Sequence, residues 1–357
     1  MPQASRILLL IPRLAAGGAE QVMTLIARSL PRNRYEVHLG LITQKDAAPT
    51  AMPPWVAVHP LGARRTRAAA YKLLRLIWRI RPAVVFTSSP EISFLVLLLR
   101  PLFSRHTRVL VRQNSTVSAV LSGGIVPWYT QLLYRLLYRR ADHMICQTRA
   151  MAADLEKRAG LRPEQIAVLP NPVDLEAIRA ARDKPCPWPG RGPHLLAVGR
   201  LSPEKGFDLL IAALATVRQS YPEADLLIAG DGREEQQLRA LARSLSIETA
   251  VHLPGRVASP YTYFPSATLF VLSSRWEGMP NALIEAATAG LPLVATPASG
   301  GIVELLGRRA NAWLAPAITA PALAATILTA LDRLGGIKRD PADRAAIHDE
   351  TVPVADD

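Results

Sequence analysis

One pattern, written twice, constrains this chain more than any other feature. Short apolar runs alternate with amphipathic helical stretches over the first 180 residues, and the alternation starts afresh at His194. The first half gives RILLLIP, EVHLGLIT, WVAVHPL, AVVFTSS, RVLVRQN and HMICQT; the second gives HLLAVGR, ADLLIAGDG, VHLPG, LFVLSS and PLVAT. Strands that alternate with helices bury both faces in a parallel sheet, so the expected class is α/β, repeated. A length of 357 residues exceeds what one growing core absorbs, in agreement with two domains. Residues 181–193, ARDKPCPWPGRGP, hold four prolines and two glycines and sustain neither helix nor central strand. The expected organisation is domain 1–180, linker 181–193, domain 194–335 and a flexible tail 336–357. In open parallel sheets ligands bind beyond the carboxyl ends of the strands, so function is expected there, in a cleft between two such domains.

Composition excludes several classes. With 49% hydrophobic and 20% charged residues the chain is neither disordered nor fibrous. Cys146 and Cys186 match neither a metal-ligand spacing nor a disulfide framework, as expected in a reducing cytoplasm. The apolar run near Ile7 is too short for a signal peptide, and Ile92–Leu99 is far short of the ~20 residues that span a bilayer. The net charge of +13 is uneven: residues 1–180 carry 25 Lys/Arg against 10 Asp/Glu. Such a half points to an anionic partner, although any single basic cluster also reads as ordinary solvated surface.

Candidate residues sit at strand ends. Arg200 closes HLLAVGR, and Lys205 follows in LSPEKG just before a helix, which suits a diphosphate as well as it suits a solvated loop with a cap. Glu277 lies in the loop after LFVLSS, and Glu285 lies eight residues on, in a helix opened by Pro280. The amides of Asn281, Ala282 and Leu283 stand at that helix start as anion donors. Carboxylates hold vicinal hydroxyls, one those of a ribose and the other those of a sugar ring. In the first half, Gly17 and Gly18 open a helix after the first strand, a signal weak by itself. Neither GxGxxG nor GxxxxGK[ST] occurs, which removes the fingerprint of an NAD-dependent oxidoreductase, and no nucleic-acid module matches the basic segments.

The segments GGAE at 17–20, AVGRLSPEKGFDLLIAA at 197–213, IAGDG at 228–232, VHLPG at 251–255 and EGMPNALIE at 277–285, in that order, resemble the retaining glycosyltransferase family 4 of the GT-B fold, two Rossmann-like domains facing across a cleft. The resemblance covers roughly residues 5–330. It implies that Arg200 and Lys205 bind the diphosphate of a nucleotide-sugar donor. It further implies that Glu277 contacts the transferred sugar, that Glu285 holds the ribose, and that Gly17 and Gly18 shape a phosphate and acceptor floor. Arg256 and Val257 resemble the backbone that grips the base, and Gly278, Met279, Pro280, Asn281 and Ala282 resemble the loop around sugar and pyrophosphate. Many relatives carry a histidine where this chain reads VRQNST, so Asn114 is expected to contact sugar or acceptor there. The tail also lacks the closing helix of relatives.

The family chemistry implies front-face transfer, in which a phosphate oxygen takes the acceptor's proton. With two cations and a helix start for the leaving group, and no DxD-type motif, no metal and no cofactor are expected. Residues 67–82 and 127–143 interleave Tyr, Trp and Arg on helical patterns, which favours a lipid-linked or growing polysaccharide acceptor and an anionic membrane surface, in cell-surface glycan assembly at the cytoplasmic leaflet. The competing class is a catalytically silent GT-B partner subunit that binds nucleotide sugar without turnover.

Overall fold

The computed structural model describes residues 4–14, 17–43, 52–122, 129–182, 184, 188, 192–307 and 309–335. Two compact units divide the chain, Met1–Val173 and Asp174–Asp357.

In the first unit seven parallel strands lie in the order β3-β2-β1-β4-β5-β6-β7. They are β1 (Ser5–Ile11), β2 (Tyr35–Leu41), β3 (Val56–Pro60), β4 (Val84–Thr87), β5 (Arg108–Arg112), β6 (His143–Cys146) and β7 (Ile166–Val168). The helices are α1 (Gly18–Ser29), α2 (Ala70–Ile80), α3 (Pro90–Leu99), α4 (Val117–Ser122), α5 (Thr130–Leu137) and α6 (Arg149–Ala159). The two-residue period of a strand divides β1 between two cores. Leu8 and Leu10 join the cluster beneath α2, α3, α5 and α6. Leu9 and Ile11 pack on the other face with Met23 and Ala27 of α1. Helix α2 buries Leu73, Leu76, Ile77 and Ile80, the three- and four-residue spacing of one helical face. It stops at Arg81, whose φ of 51° is left-handed.

The second unit repeats the plan in six parallel strands, order β10-β9-β8-β11-β12-β13. They are β8 (His194–Val198), β9 (Asp225–Ala229), β10 (Val251–His252), β11 (Leu269–Leu272), β12 (Leu293–Ala295) and β13 (Ala312–Leu314). Its helices are α7 (Leu175–Arg182), α8 (Phe207–Ser220), α9 (Glu235–Ser244), α10 (Asn281–Thr288), α11 (Gly300–Leu306) and α12 (Ala320–Gly335). Leu195 and Ile228 pack towards α8, α9 and α12, while Leu196, Leu227 and Phe270 pack with Leu283 and Ala286 of α10.

The boundary differs from the sequence expectation. Helix α7 belongs to the second unit, where it packs on the 3-10 turns of Pro260–Ser266, so the division falls after Val173 and not after residue 180. Amphipathic helices look alike on either side of a boundary, and only long-range packing tells them apart. The tail, Cys186, and most of the expected linker lie outside the described residues, as do Pro127 and Trp128. Trp188 is described: its indole donates to Asp225 Oδ1 at 3.0 Å, and His194 Nδ1 meets the same oxygen at 2.6 Å. Among the described residues no helix is long and apolar enough to cross a membrane.

Candidate active site

Of the expected residues of the second unit, Lys205 and Glu277 meet beyond the carboxyl ends of β8 and β11, where backbone contacts lock the two loops together, whereas Val257 follows β10 and Glu285 lies inside α10. Gly206, with φ of 61°, lies so close to the Ser273 carbonyl that a Cβ would stand 2.2 Å from its oxygen. Only glycine fits that approach and that dihedral angle. Ser273 Oγ donates to the Lys205 carbonyl at 2.8 Å, and the Arg275 amide donates to the Glu204 carbonyl at 2.8 Å. Arg275 then grips Asp208, at the start of α8, with bonds of 2.7 and 2.6 Å, and donates to the Pro203 carbonyl at 2.9 Å. The hydrogen bonds from Arg275 hold the Asp208 carboxyl below its ordinary range. A neighbouring loop is equally tight: a Cβ at Gly230 would meet the Gly199 carbonyl at 1.8 Å, and one at Gly232 the Leu201 carbonyl at 2.2 Å.

This framework presents Lys205 to Glu277. Lys205 Nζ lies 2.5 Å from Glu277 Oε1, which also accepts Ser274 Oγ at 2.8 Å. The next residues are anchored as well: Ser299 Oγ donates to the Gly278 carbonyl at 3.0 Å, and Thr296 Oγ1 to that of Ser274 at 2.5 Å. Lys205 is thus already paired. Arg200 is exposed, and with Ser202, Glu204 and Arg233 it lines a cavity of about 400 Å³. Trp276, beside Glu277, is 56% exposed.

Helix α10 begins where Pro280 predicts, but its start offers fewer donors than expected. The Leu283 amide is bonded to the Pro280 carbonyl at 3.2 Å, because a first turn tightened towards i→i+3 uses it internally. That corrects its assignment as an anion donor. Met279 and Ala282 are half-buried, and Ala282 packs with Val257 and Tyr261 on the core that holds Leu283. Glu285 is half-buried one turn further on. Burial raises its carboxyl to about 7 against a hydrogen bond from Tyr261 that lowers it, with the Asp174 charge adding to the rise. Tyr261 carries no motif and was not legible from sequence.

In the first unit Asn114 follows β5 and both ends of its amide are engaged. Arg112 donates to its Oδ1, and its Nδ2 donates to the Ser88 carbonyl. Arg112 donates also to Asn171 Oδ1. This guanidinium is 5% exposed, and burial alone pulls it down to about 10, so it remains a cation whose named partners are amide oxygens. Gln113, alongside, accepts from Tyr138 Oη at 3.0 Å. A side-chain amide has two hydrogens and two lone pairs, so Asn114 retains one of each for a ligand. Gly17 caps α1 as expected and Gly18 is its first residue. A Cβ on Gly17 would meet Glu20 Oε2 at 2.3 Å, so the Glu20 carboxylate is folded over the helix start where a ligand anion was expected.

Among the described residues no group of three or more His, Cys, Asp or Glu could hold a metal ion. Two family models match the chain end to end: Glycosyltransferase Family 4 over residues 16–177 and Glycosyl transferases group 1 over residues 179–346. The chain is 28% identical over 315 residues to the N-acetylgalactosamine-N,N'-diacetylbacillosaminyl-diphospho-undecaprenol 4-alpha-N-acetylgalactosaminyltransferase of Campylobacter jejuni, spanning 82% of this chain and 81% of that one. It is also 28% identical over 246 residues to an uncharacterised glycosyltransferase of Methanocaldococcus jannaschii; that match covers 66% of this chain but only 61%, under two thirds, of that relative. In fold it is similar to Anabaena HepE, solved with UDP and glucose, with a TM-score of 0.73 at 20% identity over 96% of this chain and 94% of that one. The paired parallel sheets, the locked strand-end loops and both family matches agree, and the chain belongs to glycosyltransferase family 4, with the GT-B architecture of two Rossmann-like units.

Proposed function

We propose that this glycosyltransferase is retaining, and that it moves a hexosyl or N-acetylhexosaminyl group from a UDP-linked donor to a lipid-linked or growing polysaccharide acceptor in cell-surface glycan assembly. The observation that carries this reading is the Lys205–Glu277 pair, fixed at the ends of β8 and β11 four residues ahead of α10. The Campylobacter relative, named for a diphospho-undecaprenol acceptor, and HepE, solved with UDP and glucose, support the acceptor and donor classes.

In this reading the acceptor hydroxyl attacks the anomeric carbon from the side on which the diphosphate leaves. The bond from that carbon to the diphosphate oxygen breaks, and a phosphate oxygen takes the hydroxyl proton. Arg200, Lys205 and the start of α10 neutralise the leaving group without a metal or other cofactor. Glu277, oriented by Lys205 and Ser274, holds hydroxyls of the transferred sugar. Glu285 in its ionised form holds the ribose. Asn114 offers its remaining donor and acceptor to sugar or acceptor. The enzyme works at the inner face of the membrane without entering it.

The test is a panel of nucleotide sugars with polyprenyl-diphosphate-linked acceptors, in the presence of EDTA, with the anomeric configuration of the product read by NMR. Transfer from one UDP-sugar with the α-configuration kept supports the reading. An inverted product, or transfer abolished by EDTA and restored by a divalent ion, overturns it. Donor binding without any transfer identifies a silent partner subunit, the outcome that the absence of a histidine at Asn114 would favour.

A further inference from the structure

The carboxyl edge of the first sheet, from β4 to β7, is polar and yet closed to solvent. Thr87 and Ser88 at β4, Arg112 and Gln113 at β5, Gln147 after β6 and Asn171 after β7 are all buried. Arg112 is the one buried Lys or Arg among the described residues. More open arginines meet acids: Arg6 meets Glu36 at 3.2 Å, Arg100 meets Asp142 at 3.3 Å and Arg275 meets Asp208 at 2.6 Å. The Arg112 guanidinium instead donates to the side-chain oxygens of Asn114 and Asn171, and among the described residues no carboxylate pairs with it. Acids of the helices that follow β4 and β6 are held elsewhere, Glu91 by Ser89 Oγ at 2.7 Å and Asp154 by the Ser118 amide at 3.1 Å.

A buried charge met by neutral groups alone lowers stability, and an acid at position 171 would relieve it with almost no change of size. What the neutral arrangement does is fix Asn114. A guanidinium only donates and a carbonyl only accepts, so Arg112 on one side and the Ser88 carbonyl on the other permit a single orientation of the amide. Oδ1 faces the cation, one N–H of Nδ2 faces Ser88, and the planar amide directs its second N–H away from both. Hydrogen bonds in a chain polarise one another, and a cation on Oδ1 draws electron density from the amide nitrogen, which makes that second N–H a stronger donor. With a carboxylate beside Arg112 the same charge would be neutralised within the protein.

We propose that Arg112 is a positioning residue of the transfer, holding Asn114 as a fixed hydrogen-bond donor and strengthening that donor with a charge that its amide partners do not neutralise. The oxygen so served is one that gains negative charge as the diphosphate departs, and the effect therefore belongs to turnover and not to donor affinity. This role rests on the transfer reading, in which Asn114 meets sugar or acceptor.

Asn171→Asp tests it, because the new carboxylate neutralises Arg112 while Asn114 stays in place. With the UDP-sugar and acceptor on which the wild type is active, kcat should fall about tenfold and the donor KM change by less than about twofold. The neutral variant Asn171→Ser should lower kcat far less, and Asn171→Asp should unfold at higher denaturant than Asn171→Ser. Asn114→Asp lacks the N–H altogether, so adding Asn171→Asp to it should lower kcat little further, there being no donor left to strengthen. Heteronuclear NMR gives a readout that needs no substrate: the side-chain amide signal of Asn114, identified by its loss in Asn114→Ala, should move upfield in Asn171→Asp. A midpoint for Asn171→Asp below that of Asn171→Ser would show that Arg112 carries no uncompensated charge and would overturn the proposal. Wild-type kcat in Asn171→Asp, or an equal loss in Asn171→Ser, would reduce Arg112 to a structural role and overturn it as well. If the wild type transfers no sugar to any acceptor, the transfer reading itself fails and this role with it, a result distinct from normal transfer that ignores the new charge.

Discussion

Lys205 and Glu277, 72 residues apart in sequence, meet as an ion pair in which Nζ stands 2.5 Å from Oε1. In the proposed reading this pairing ties the cation that meets the diphosphate to the carboxylate that meets the sugar, so each should report on a different step. Lys205→Ala should raise the donor Kd by about 10- to 100-fold, the loss of one charged hydrogen bond of roughly 1.5–3 kcal/mol. Glu277→Gln keeps shape and removes charge, and should lower kcat by about the same factor while donor affinity stays near wild type. Steady-state kinetics beside calorimetric titration of the donor separates them. A Glu277→Gln enzyme with normal turnover would refute its role.

Glu285 makes stability depend on pH, and in the proposed reading donor binding runs the opposite way. Its folded carboxyl titrates near 7 and its ordinary value is 4.5, because burial penalises the charge. Between those values the folded protein keeps a proton that the unfolded chain has lost, so stability falls as pH rises from about 4.5 to about 7. Above 7 the full penalty remains, roughly 3 kcal/mol for a shift of this size. Glu285→Gln should therefore unfold at higher denaturant than wild type at pH 8, with the gap closing near pH 4.5. If the ionised form holds the ribose, donor binding near pH 7 releases a proton, and calorimetry in buffers of different ionisation enthalpy measures it.

Arg112 and Asn114 should differ in kind. Replacing Arg112 with Met strands the Asn114 and Asn171 oxygens in a buried place, and unfolding experiments should show a loss of about 2–4 kcal/mol. Asn114→Ala should cost about 1 kcal/mol of stability and fall chiefly on kcat. Turnover of Asn114→Ala equal to wild type would remove it from the reaction.

Arg275→Ala should loosen the contact between the loops after β8 and β11. Its bond to Asp208 is partly exposed and contributes little alone, but the bond to the Pro203 carbonyl goes with it, so a loss of about 1–2 kcal/mol is expected. The informative readout is functional, since Lys205 and Glu277 should lose their alignment and kcat should fall although Arg275 touches neither.

The apolar central strands announced themselves, because parallel central strands are buried on both faces. The two that did not, β7 and β13, have three residues each and lie at sheet edges, although β10 and β12, no longer than these, were legible in VHLPG and PLVAT. Of the candidate residues with a local signature, Arg200 and Lys205 follow β8 and Glu277 follows β11, while Pro280 opens α10 and Glu285 lies inside it. The residues that support them do not carry a signature. Tyr261 on Glu285, Arg275 on Asp208 and Arg112 on Asn171 are partnerships across 24, 67 and 59 residues, respectively, created by topology and invisible to spacing. The tied Leu283 amide escaped for a different reason, since the tightness of a first helical turn depends on how the preceding loop enters it.

The glycine at 206 has a consequence for anyone who would redirect this enzyme to another sugar. With its Cα hydrogen facing the Ser273 carbonyl, the loops after β8 and β11 share a seam of main chain that admits no added atom. Lengthening either loop, a common route to new specificity in α/β enzymes, would part that seam and scatter Lys205 from Glu277. Variation is better confined to side chains that leave the seam intact, with Trp276 and Met279 the first positions for a library of fixed length.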